Sequence, residues 1–109
     1  MVESPGTMTR PPTTEELDRA EAAVLARGDS IENLDWLAFM FWTHRRIEKA
    51  RGYYTRLVER VPDNASYHFF LGEVCWAGGD RARAREHWER TVALDRAEYA
   101  KLAAARLAA

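Results

Sequence analysis

The chain carries one cysteine, Cys75, in 109 residues. No intrachain disulfide can form, and the cysteine usage calls for no oxidising compartment. Net charge is nearly absent: 16 Lys and Arg stand against 17 Asp and Glu, a formal −1. That balance removes any general pull toward DNA, RNA or an anionic bilayer, so neither nucleic acid nor membrane is expected as a partner. Long apolar runs are missing as well. The longest, Trp36 to Trp42, makes core or groove, far short of the roughly 18 residues of a membrane span. No phosphate loop, dinucleotide fingerprint or serine-nucleophile motif occurs. The opening MVESPGTMTRPP lacks the charged start and apolar segment of a secretion signal. Residues 1–12 read as a flexible polar lead, Met8 reads as an alternative start, and a cytoplasmic location is the default expectation.

What is present points to one small helical domain over residues 13–109. A 47% hydrophobic share with 11% aromatics places the chain among globular proteins and not among disordered ones. Basic residues are almost all arginine and alanine is abundant, the usage of a GC-rich bacterial genome. Thr13 and Glu16 have the spacing of a capping box. A helix is expected from there to Arg27, closed by a left-handed Gly28, with Leu17, Ala20, Ala23 and Val24 as its apolar stripe. Asp29 and Ser30 cap a second helix, about 31–44. A third runs over 46–60 and stops before Pro62, because the residue preceding proline avoids helical geometry. After Asp63 and Asn64 the pattern restarts, with helices over 65–77, 81–94 and 97–107 and a Gly78-Gly79-Asp80 turn. Six helices with short connections and no strand pattern make neighbours antiparallel.

Residues 31–64 lie over 65–98 without gaps, a 34-residue period. Leu37/Leu71, Trp42/Trp76, Ala50/Ala84, Arg51/Arg85, Arg56/Arg90 and Val58/Val92 are identical. Their placement carries the argument. Ala38 and Gly72 are small where paired helices approach, Ala50 and Ala84 are small on the returning helix, and Tyr54 and Trp88 fill the space one turn on.

This pattern resembles the tetratricopeptide repeat, whose period is 34 residues. With Ile31 and Ala65 as position 1, Leu37, Ala38, Phe41, Ala50, Tyr54 and Pro62 match the family pattern in the first copy. Leu71, Gly72, Ala84 and Trp88 match it in the second. Departures are Leu34 and His68 in place of tryptophan, Thr91 in place of alanine and Arg96 in place of proline. The resemblance implies an all-α solenoid of antiparallel helix pairs: repeat one over 31–64, repeat two over 65–98, a capping helix at 14–28 and another at 97–107.

The resemblance also implies a binding face. First helices of such repeats line a concave groove through positions that here hold Glu32, Asp35, Phe39 and Trp42, then Ser66, Phe69, Glu73 and Trp76. Aromatic anchors rimmed by carboxylates suit a protein or peptide partner, an apolar segment or helix carrying Lys or Arg. The expected partner-binding residues are Glu32, Asp35, Phe39, Trp42, Phe69, Glu73 and Trp76. Trp42 and Trp76 are equally readable as groove or as core. The family's clamp for chaperone-tail carboxylates needs a lysine where Asp35 stands and asparagines where Phe39 and Phe70 stand. Asp35 would repel a terminal carboxylate, so that function is rejected. The alternative function is homo-oligomerisation through the same aromatic face.

No catalytic residue, cofactor or metal is expected. His44, His68 and His87 share no metal-ligand spacing with one another or with Cys75, and each reads as structural. Cys75 reads as a small buried hydrophobe. Arg51, Arg56, Arg85 and Arg90 are expected to pair within their own helices with Glu48, Glu59, Glu86 and Glu89.

Overall fold

The computed structural model describes residues 10–95 and 97–109. The start of the expected lead, residues 1–9, and position 96 lie outside the described residues. Six helices follow in chain order: α1 Thr14–Leu25, α2 Ile31–Thr43, α3 Ile47–Arg60, α4 Ala65–Ala77, α5 Arg81–Leu94 and α6 Glu98–Ala108. Among the described residues there is no strand.

Local chemistry sets the ends. The Thr13 hydroxyl accepts from the Glu16 amide at 3.1 Å while the Glu16 carboxylate accepts from the Thr13 amide at 2.8 Å. This is the expected capping box. Arg10 also donates to both Glu16 oxygens, at 3.0 and 3.1 Å. Together the Arg10 guanidinium and the Thr13 amide lower the Glu16 carboxyl to about 2. Ser30, Asn64 and Asp80 each accept from the amide three residues on, opening α2, α4 and α5. Gly28 has φ 107, so the left-handed stop after α1 is in place.

The repeat governs the helix stops too. At the end of α4, Gly79 has φ 91, and the Asp80 amide reaches back to the Cys75 carbonyl at 2.9 Å. At the end of α2 the same closure uses Arg45, φ 60, with the Arg46 amide on the Phe41 carbonyl at 2.8 Å. Residues 45 and 79 are repeat equivalents, so one backbone conformation serves a glycine and an arginine. For arginine it is held against a steric cost that glycine escapes.

Two helix pairs form the body. Leu34, Leu37, Ala38 and Phe41 of α2 are buried together with Ala50, Tyr53, Tyr54 and Leu57 of α3. In the second pair Leu71, Gly72 and Cys75 of α4 are buried with Ala84, Trp88 and Thr91 of α5. Antiparallel packing returns each second helix to the start of its first. Arg56 reaches Asp29 at 3.2 Å, and Arg90 reaches Asp63 at 3.4 Å. These two ion pairs are 34-residue images of one another. They also correct the intrahelical expectation: of the four arginines only Arg51 bonds its helical neighbour, Glu48, and Arg85 instead donates to the Leu107 carbonyl at 3.2 Å. Antiparallel packing brings the far part of each returning helix beside the carboxylate that precedes its first helix, and the arginine pairs there.

α1 buries Leu17 and Val24. It is tied to α3 by Lys49 on Glu21 at 2.8 Å and by the Tyr53 hydroxyl, which donates to the same carboxylate. Burial alone would raise the Glu21 carboxyl, but these two donors hold it below the ordinary carboxylate range. α6 packs on α5 and α4, burying Ala103 and setting Tyr99 against Phe69 and Phe70 at 5.7 and 6.0 Å between ring centroids.

Candidate interaction surface

The seven side chains expected to face a partner separate into three settings. Glu32, Asp35 and Phe39 line one open depression along α2, with Trp36, Met40, Thr43 and His44. Helical spacing puts them on one side, because residues three and four apart share a face. Phe39 is 50% exposed and Trp36 53% exposed, large aromatic surfaces for a small domain. Asp35 accepts from the Tyr67 hydroxyl of α4 at 3.2 Å. Burial first, and then this carboxylate, push the Tyr67 phenol up. Glu32 and Asp35 carry no ion pair among the described residues.

Phe69 is in a different position. It is buried, between Phe70 and Tyr99, with the Arg106 guanidinium 5.8 Å from its ring. Glu73 accepts from Arg106 at 2.7 and 3.2 Å. α6 thus covers these two α4 residues with its own aromatic and cation.

Trp42 and Trp76 form the third setting, a second depression at the C-terminal ends of α2 and α4, shared with Glu73, Trp88 and Arg106. Each tryptophan holds an arginine over its ring: Arg45 at 4.7 Å from Trp42 and Arg81 at 4.5 Å from Trp76. Trp76 also leans on Trp88, centroids 5.4 Å apart, and is 38% exposed. It is half core and half surface.

Trp36 and Met40 were absent from the expected face. Their signal lay in the 34-residue register. Trp36 is the image of Phe70, and Phe70 meets the preceding repeat at Phe39 and Tyr54, with centroids at 6.1 and 5.8 Å.

The histidines hold a relationship that spacing did not reveal. His68 Nδ1 and His87 Nδ1 are 3.2 Å apart, and His68 Nε2 is 2.8 Å from the Pro62 carbonyl oxygen. A carbonyl only accepts, so His68 carries its proton on Nε2 and its bare Nδ1 accepts from His87. Burial, and then the neighbouring His68, lower the His87 pKa. No group of three His, Cys, Asp or Glu suited to a metal ion occurs among the described residues. Cys75 is buried, and burial pushes its thiol up, away from the thiolate a nucleophile needs. No described helix is long and apolar enough to cross a membrane.

No curated protein matches the sequence. A family model for the tetratricopeptide repeat matches residues 41–101, from the last turn of α2 through both returning helices to the first turn of α6. That span is more than half of the chain, and with the paired helices, the small–large contacts and the recurring ion pairs it establishes that this protein belongs to the tetratricopeptide-repeat family.

Proposed function

We propose that the protein is an adaptor that captures a segment of a partner protein along the open side of α2. Repeats of this family generally mediate protein–protein interaction. The observation that carries the finer reading is the strip of Trp36, Phe39 and Met40 edged by Glu32 and Asp35. Desolvating two half-exposed aromatics supplies the affinity, and the carboxylates select a partner with Lys or Arg beside its apolar residues. Phe69 and Glu73 are engaged by α6, so capture falls to the α2 strip without them. A short strip gives modest affinity.

The test is affinity capture from the native source with the wild-type chain and a Trp36→Ala/Phe39→Ala variant, beside light scattering of both. A protein retained by the monomeric wild type and lost by the variant supports capture. A wild-type dimer that the variant dissolves, with nothing else retained, replaces capture with self-assembly.

A further inference from the structure

Two arginines stand where the local backbone disfavours them. Arg45 follows α2 at φ 60, in the conformation that its repeat equivalent, Gly79, adopts freely. Arg81 is the first residue of α5, the end at which a helix disfavours a cation. Neither is in an ion pair among the described residues. Both guanidiniums lie over tryptophan rings, Arg45 on Trp42 at 4.7 Å and Arg81 on Trp76 at 4.5 Å. Ring contact offsets part of the local cost, but no carboxylate of the described fold uses either charge. Charged residues held against local preference in this way point to a ligand outside the fold.

The four side chains line one depression. Among the described residues Glu73 is the one acidic side chain that lines it too, and Arg106 neutralises that carboxylate through bonds of 2.7 and 3.2 Å. Two uncompensated positive charges therefore stand beside two indoles. Each guanidinium rests on its ring by one face, which leaves the N–H edges to donate to carboxylates in a charge-assisted way. Tryptophan and arginine are also the residues most concentrated where interfaces draw their binding energy.

We propose that this depression is a second docking surface, which takes a segment of a partner protein bearing Asp or Glu beside an apolar side chain. It goes beyond the α2 strip, with which it shares no lining residue, and its charge is the opposite one. The apolar side chain packs on the open part of Trp76, and the carboxylates accept from Arg45 and Arg81. Charge complementarity selects the acidic partner. Nucleic acid is disfavoured, because each guanidinium lies over a ring face on which a base would stack. The formal −1 of the chain also gives no general pull on a phosphate backbone.

The probes are two short synthetic peptides, an apolar pair flanked by Glu and the same pair flanked by Gln, together with a single-stranded oligodeoxynucleotide. Amidated C-termini ensure that only side-chain carboxylates are read. Binding to the full chain is followed by calorimetry, with light scattering on the same samples. The expected result is binding of the Glu peptide above the other two, weakened about tenfold by Arg45→Gly and likewise by Arg81→Gln. Glycine suits φ 60, so Arg45→Gly should bind less while melting no lower than the wild type. A purely structural arginine predicts the reverse, a lower melting temperature with binding retained, and that result overturns the proposal. Arg81→Gln lies outside the strained turn and must weaken the Glu peptide as well. Equal binding of the Glu and Gln peptides, or no binding of the Glu peptide, also overturns it. Tighter binding of the oligonucleotide, lost in the same variants, assigns the depression to nucleic acid instead. A wild-type dimer that the variants dissolve, with neither peptide bound, puts a second copy there and overturns the partner.

Discussion

Gly72 lies so close to Trp88 that a Cβ built on it would stand 2.5 Å from the indole Nε1 and 2.6 Å from Cδ1. The equivalent pair in the first repeat is Ala38 and Tyr54, both fully buried. A smaller ring thus accompanies the larger small residue, and the two pairs fill the same space by different divisions of volume. The Trp88 Nε1 hydrogen finds no acceptor there.

Gly72→Ala is expected to destabilise the protein by about 1–3 kcal/mol, because a buried indole cannot swing aside and overpacking outweighs alanine's helix propensity. Adding Trp88→Tyr recreates the Ala–Tyr pair of the first repeat and should recover much of the loss. Chemical denaturation of the two single variants and the double variant reads the coupling. Strict additivity would show that the contact is not the cause.

Ala84→Leu places three extra carbons where the α4–α5 pair has no free surface. The expected cost is about 1–3 kcal/mol, seen as a lower urea midpoint with an unchanged slope.

The tryptophans should separate sharply in a stability assay. Trp88→Ala, at 2% exposure, empties the second pair and should cost about 3–5 kcal/mol, whereas Trp36→Ala, at 53% exposure, should stay within about 0.5 kcal/mol. Trp76→Ala should fall between them, since its ring supports Trp88 on one side only. Thermal melts of the three variants check the order, and a large loss for Trp36→Ala would place that ring in the core.

Acid should weaken the fold through His87. Its folded-state pKa is lowered from 6.5 by burial and by His68, so below about pH 6.5 the unfolded chain takes up the proton first. Stability is therefore complete above pH 6.5 and declines as pH falls through the window between the unfolded and folded pKa values. Melting temperatures measured from pH 7.5 down to 5 should fall less steeply for His87→Gln than for the wild type. Parallel curves would remove His87 from the acid response.

Much of the fold was readable because its signals are local or periodic. Thr13 and Glu16, Ser30, Asn64 and Asp80 announce helix starts through side chains that reach only three residues. The left-handed Gly28 and Gly79 announce stops. The 34-residue register then pairs α2 with α3 and α4 with α5, since small residues at 38, 50, 72 and 84 leave only one close approach for each pair. The candidate site was less readable. Helical spacing put Glu32, Asp35 and Phe39 on one side of α2, but it could not say that Arg106, 33 residues beyond Glu73, would return to take that carboxylate.

The sequence by itself determined the helices, most of their starts, the repeat and the membership of the chain in its family. Each of these follows from short-range hydrogen bonding or from a periodic choice of side-chain size. Tertiary structure alone decided which aromatic surfaces stay open. It placed α6 over Phe69, stacked Arg45 and Arg81 on Trp42 and Trp76, joined His68 to His87, and left Trp36 half-exposed. Exposure depends on what stands next to a residue in space, and the neighbours here come from helices whose separation along the chain carries no local signal.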